Sequence, residues 1–167
     1  MANLNPGIHE NVSLAKLSYV EGGTWEGIDF LFAKDDMFFK HRVFKPKPEN
    51  TEKAREHINY ILAHFTTRDK IKAVVGKNFK DFADKLVELY KDEKMFNTKV
   101  HIKLMKNEKG YAAIPSFMTH GFMQDGDIAC SLAYTDWEIA NNHAPVLDAV
   151  PAKAGAVDED ADDQLPF

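Results

Sequence analysis

The chain has 167 residues, 44% of them hydrophobic and 28% charged, with a formal net charge of -5; that is the scale of one globular domain with an appended segment. No apolar run approaches the ~18 residues that span a bilayer, and the sequence does not open on a basic stretch followed by an apolar one, so neither membrane anchor nor secretory signal is expected and a cytoplasmic location is the default. The single Cys130 excludes an internal disulfide and suits a reducing compartment.

In chain order, residues 8 to 20 alternate apolar and polar positions, with Val12, Leu14, Leu17 and Tyr19 apolar and a phase change near Ala15 that predicts a bulged strand. Gly22-Gly23 makes a turn. Residues 25 to 33 form a second strand, with Ile28, Phe30 and Phe32 on one face and Asp29, Leu31 and Ala33 on the other. Asp35-Asp36 turns the chain into a third strand, 37 to 44, which sets Met37, Phe39, His41 and Val43 against Phe38, Lys40, Arg42 and Phe44. Pro46 and Pro48 stop it, because proline cannot donate to a ladder.

A helical block is predicted over about 51 to 92. Asn50 or Thr51 caps its first helix, which carries Ala54, Ile58, Ile61, Leu62 and Phe65. Thr66-x-x-Asp69 opens the second as a capping box, ending at Gly76, and Asn78-x-x-Asp81 opens the third, with Phe79, Phe82, Ala83, Leu86 and Tyr90 on one side. Strand alternation resumes over 98 to 106, where Val100, Ile102 and Leu104 oppose Lys99, His101, Lys103 and Met105. A hairpin turn at 107 to 110 leads to a return strand over 111 to 117. Residues 118 to 143 read as loop or short helix, with Leu132, Tyr134, Trp137 and Ile139 packing on the body; 144 to 157 read as a linker and 158 to 167 as a solvated acidic tip.

Three strands, a helical block and two strands predict a mainly β, α+β domain over residues 1 to 143, in the element order of the five-stranded OB barrel with its helices between strands three and four. Charge is unevenly distributed. The tip holds five acids, leaving 21 acidic and 21 basic residues elsewhere, and residues 34 to 109 carry 19 Lys and Arg against 12 Asp and Glu. A basic middle with an acidic detachable tail suits a polyanion held in one groove. The candidate groove residues are Phe38, Lys40, Arg42 and Phe44 on the third strand, Lys99, His101 and Lys103 on the fourth, and Trp25, Lys45 and Tyr111 around them. Flat aromatic rings stack on unpaired bases of any sequence while Lys and Arg follow the phosphates.

Signatures of catalysis are missing: there is no Walker-type phosphate loop and no Gly-x-Ser-x-Gly elbow, and no cofactor is expected. His57 and His64 fall seven apart on a helix, and His120, Cys130 and His143 lack zinc-ligand spacing. Asp35-Asp36 and Asp125-Gly126-Asp127 read as turns. Two other classes remain open on the residues alone: a protein-interaction adaptor that does not bind DNA, and a divalent-metal nuclease.

At the tip, Asp158, Glu159, Asp160, Asp162 and Asp163 precede Leu165, Pro166 and a terminal Phe167. The run Asp162-Asp163-x-Leu165-Pro166-Phe167 resembles the C-terminal tip of bacterial single-stranded DNA-binding proteins, with Gln164 where an Asp is usual. Gly7-Ile8-His9-Glu10-Asn11-Val12-x-Leu14, residues 25 to 34, Lys109-Gly110-Tyr111 and Ile114-Pro115 are similar to phage-encoded members of that family. The resemblance implies a sequence-independent protein that coats single-stranded DNA in replication, recombination or repair, inside an infected bacterium. It also implies recruitment of polymerase, helicase or primase through the tip. The helical block is longer than the short helix of the bacterial proteins, so monomer or dimer is expected rather than their tetramer.

Overall fold

The computed structural model describes residues 2–118 and 120–145. Seven strands form one mixed sheet: β1 (Ala2–Asn3), β2 (Gly7–Glu21), β3 (Glu26–Lys34), β4 (Met37–Phe44), β5 (Lys99–Lys106), β6 (Ala112–Ala113) and β7 (Met123–Asp125). The order is β1-β4-β3-β2-β5-β6, with β7 also paired to β5. Helices α1 (Thr51–Leu62), α2 (Arg68–Lys72) and α3 (Phe79–Asp92) lie in sequence between β4 and β5, and α4 (Asp136–Ala140) follows the last strand. Among the described residues no helix is long and apolar enough to cross a membrane.

The sheet curls because β2 serves two partners. Its residues 7–13 pair with β5 and its residues 13–21 with β3. The predicted bulge falls at Ala15, between Leu14 and Lys16, and a second irregularity lies between His9 and Val12, where Asn11 adopts a left-handed φ of 58°. Each bulge adds twist and bends the strand. The Tyr90 hydroxyl of α3 donates to the Leu14 carbonyl beside the first bulge at 2.8 Å, tying the helical block to the bend.

The apolar set expected to face the core does so in each strand. Ile28, Phe30 and Phe32 of β3 are fully buried, as are Val100, Ile102 and Leu104 of β5, and Phe39 and Val43 of β4 join them. The helices close one side with Ile58, Ile61, Leu62, Ile71, Ala83 and Leu86. Asn78 caps α3 as predicted, its side chain accepting from the Asp81 amide at 2.8 Å. The cap of α2 moves by one residue, to Thr67, because the Thr66 hydroxyl donates to Glu93 at 2.7 Å instead.

The region after β5 departs from expectation. The return strand shortens to two residues, and residues 122–139 fold back over the outer face of β5. Tyr60 clamps β7 by donating to the Met123 carbonyl and accepting from its amide. In α4 it is Glu138 that turns inward, while Trp137 and Ile139, expected to pack on the body, face solvent. Of the predicted linker over 144 to 157, Ala144 is buried against the body, and residues from 146 on, with the whole acidic tip, lie outside the described residues.

Glu138 is held by a buried ion pair to Lys103, at 2.9 and 3.3 Å, with the Thr135 amide donating to the same carboxylate. Burial opposes ionisation of Glu138, but the Thr135 amide and Lys103 outweigh it, leaving its pKa below the ordinary carboxylate value. Removing one member of a buried pair strands the other charge at a cost of about 3–5 kcal/mol. Glu138→Gln is therefore expected to lose roughly that much stability in urea unfolding, while adding Lys103→Met should recover a large part of it.

Candidate nucleic-acid interface

Cross-strand pairing sorts the outer face of β2, β3 and β4 into rows. Val20, Gly27 and Phe44 form one; Ser18, Asp29 and Arg42 the next; Lys16, Leu31 and Lys40 a third; Ser13, Ala33 and Phe38 the last. Residues opposite each other point the same way, so the predicted outward set of β4 does share a face. Lys45 follows at the end of that strand, its amide bonded to the Glu26 carbonyl at 2.9 Å and its ammonium 3.4 Å from the Glu26 carboxylate.

Arg42 is the centre of this face. Its Nε and Nη2 donate to the two oxygens of Asp29 at 2.7 and 3.0 Å, a bidentate pair that fixes the guanidinium plane. The same guanidinium lies 4.7 Å from the Trp25 ring centroid and 6.0 Å from that of Phe44, and the two rings meet edge to face at 5.7 Å and 77°. Hydrogen bonding to Asp29 raises the Arg42 pKa further, so its charge is permanent. Two glycines make room: a Cβ on Gly22 would overlap the Trp25 indole, and one on Gly27 would stand 3.3 Å from Arg42 Cγ and from the Val43 carbonyl oxygen. Trp25 is 36% and Phe44 55% exposed. Large rings held in place yet open to water are the geometry that base stacking requires.

Beside this cluster runs a groove of about 520 Å³. Arg42 and Phe44, residues 114–116, and Asn50 and Lys53 of the helical block line it. His41 and His57 lie under it with their Nε2 atoms 2.8 Å apart, so one proton serves both rings. A smaller cleft of about 250 Å³ brings Phe38, Lys40 and Tyr111 together with residues 3–6, at and just after β1.

The face thus unites Trp25, Lys40, Arg42, Phe44 and Lys45. Phe38 is half-buried beside β1, Tyr111 stands exposed at the far cleft, and Lys99 lies exposed at the end of the Ser13 row. His101 and Lys103 are a correction. They do not extend an open basic face, because the segment folding back over β5 leaves them 2% and 3% exposed. His101 Nδ1 accepts from the Asn11 amide and its Nε2 donates to the Ile128 carbonyl, while the Lys103 ammonium donates to Glu138 and the Ala133 carbonyl. Asp29, Lys16 and Gly27 were not among the sequence candidates; the signal for Asp29 is its place directly across from Arg42 once the two strands are paired.

No protein-family model, no curated protein and no solved structure matches the chain. Among the described residues no group of three or more His, Cys, Asp or Glu is placed to hold a metal ion.

Burial, reinforced by His57 and opposed by Asp29, lowers the His41 pKa from 6.5 to about 3. The unfolded chain therefore takes up a proton near pH 6.5 that the folded chain refuses, so stability is complete above that pH and falls as pH drops toward 3. Urea unfolding between pH 7 and 5 should show up to about 1.4 kcal/mol loss per pH unit from this group. The slope should be shallower in His41→Gln.

Proposed function

We propose that this chain is a sequence-independent single-stranded DNA-binding protein that acts without catalysis. The observation that carries the reading is the Trp25, Arg42 and Phe44 cluster, two exposed rings locked around a guanidinium on the outer face of a curled sheet. Bases of any sequence present flat faces to such rings, and a permanent cation beside them neutralises the phosphate that accompanies each base. Such stacking needs unpaired bases, so duplex is the poorer ligand.

The strand pairing supports an OB-type barrel, with β2 to β5 as its first four strands and β6 as a short fifth. β2 divides its length between the second and fourth of these, and the helices enter between the third and fourth. That architecture takes oligonucleotides across its second and third strands, here β3 and β4. The acidic tip completes the reading: Asp158 to Asp163 steer toward a basic rim, and the Phe167 ring enters a pocket on a replication partner such as a polymerase, helicase or primase. Unoccupied by a partner, the tip competes with DNA for the basic face.

Titration of labelled oligo-dT tests this. Binding should weaken with salt by about 0.7 log unit per log unit for each phosphate neutralised. Trp25→Ala and Phe44→Ala should each weaken it roughly 5- to 150-fold, the loss expected for one stacked base, and removal of residues 158–167 should tighten it. Equal affinity for duplex, a flat salt response or indifference to Trp25→Ala would overturn the proposal.

A further inference from the structure

Beyond β6 the chain presents aromatic rings that neither the core nor the β2 to β4 face employs. Phe117, Trp137 and His143 come from three separate points of the sequence and meet. The Phe117 and Trp137 centroids are 5.5 Å apart at 79°, Phe117 and His143 5.3 Å, and Trp137 and His143 5.4 Å at 26°. Phe117 is 50% exposed and Trp137 56%.

This cluster is firmly mounted. The helix that carries Trp137 is pinned from below by the buried pair of Glu138 and Lys103. His143 is fixed through its backbone, its amide donating to the Glu138 carbonyl at 2.8 Å and its carbonyl accepting from the Lys106 amide at 2.7 Å. A short helix whose only task was packing would turn Trp137 inward and Glu138 outward. Here the charge is buried and the ring is displayed, the costlier arrangement of the two.

Along the chain the cluster adjoins the groove beside the proposed DNA face. Ser116 lines the same groove as Arg42 and Phe44, one residue before Phe117. Arg42 and Lys53 line that groove, and among the described residues no carboxylate does, so its charge suits a phosphate backbone passing through it.

We propose that Phe117, Trp137 and His143 form a second base-stacking platform. A single strand seated on Trp25, Arg42 and Phe44 crosses the groove past Lys53 and lays a further base against Trp137. The inference rests on the single-stranded DNA reading above, and the experiment separates the two.

The chain has two tryptophans, so Trp25→Phe keeps a ring at the first platform and leaves Trp137 as the sole indole emitter. Oligo-dT of increasing length is titrated into this protein, with binding read by anisotropy of a label on the DNA and Trp137 read by emission and acrylamide quenching. Short oligomers should bind without changing Trp137, and beyond a threshold length its emission should be quenched and its access to acrylamide should fall. In the otherwise native chain, Trp137→Ala should leave short oligomers unaffected and weaken long ones roughly tenfold. Saturating anisotropy with Trp137 unchanged at every length overturns the second platform alone. Absence of any anisotropy change at low salt, in the native chain as well as in Trp25→Phe, overturns the single-stranded DNA reading and the platform with it. Protection of Trp137 that rises with protein concentration in the absence of DNA assigns the patch to contact between two copies of the chain, and also overturns the platform.

Discussion

The structure depends on a single strand satisfying two neighbours at once. β2 gives its first half to β5 and its second half to β3, which a flat strand of 15 residues cannot do without the departures in register on either side of Val12 and Leu14. Every backbone group on the strand needs a partner, so the bends fall where one ladder hands over to the other. The resulting curl puts Leu14, Leu17, Phe30 and Phe32 inside and leaves Lys16, Asp29, Lys40 and Arg42 on the outside. Core and candidate site are therefore two faces of the same strands, and the rigidity of one is inherited by the other.

On the outer face, the geometry of Arg42 is set before any ligand arrives. Asp29 sits low against the sheet and takes both of its forward donors, Gly27 lets the stem lie flat, and Trp25 and Phe44 flank the guanidinium. The carboxylate lowers the local positive potential, which costs some attraction for phosphate, but it holds an otherwise flexible side chain in one orientation. Preorganisation of this kind reduces the entropy lost on binding. The net effect is a face whose shape is fixed by ion pairing and whose exposed apolar surface comes from rings.

Much of this was legible in the sequence because a period of two is unambiguous wherever one face is buried. Phe38, Lys40, Arg42 and Phe44 could be placed outward from alternation alone, and Asn78 announced α3 through the chemistry of its cap. The same pattern misled at β5. Lys99, His101 and Lys103 alternate as cleanly as any solvated set, but alternation separates two faces without saying whether the second meets water or another layer of chain. Lys103 finds its partner in Glu138, 35 residues away, and no local signal connects them. Trp137 and Ile139 failed for the complementary reason: apolar residues in a short helix read as core, whereas the buried position there is taken by Glu138, which neutralises Lys103. Asp29 was visible as an outward acid, yet its role as the seat for Arg42 exists only after β3 and β4 are paired.

The central claim, that the outer face centred on Arg42 receives single-stranded DNA by stacking, is tested most directly by photocrosslinking. Oligo-dT carrying 5-iodouracil at successive positions is irradiated in complex with the full chain, and the adducts are located by peptide sequencing. Stacked contact predicts adducts at Trp25 and Phe44. Efficient crosslinking confined to residues of the helical block, with none at either ring, would contradict it.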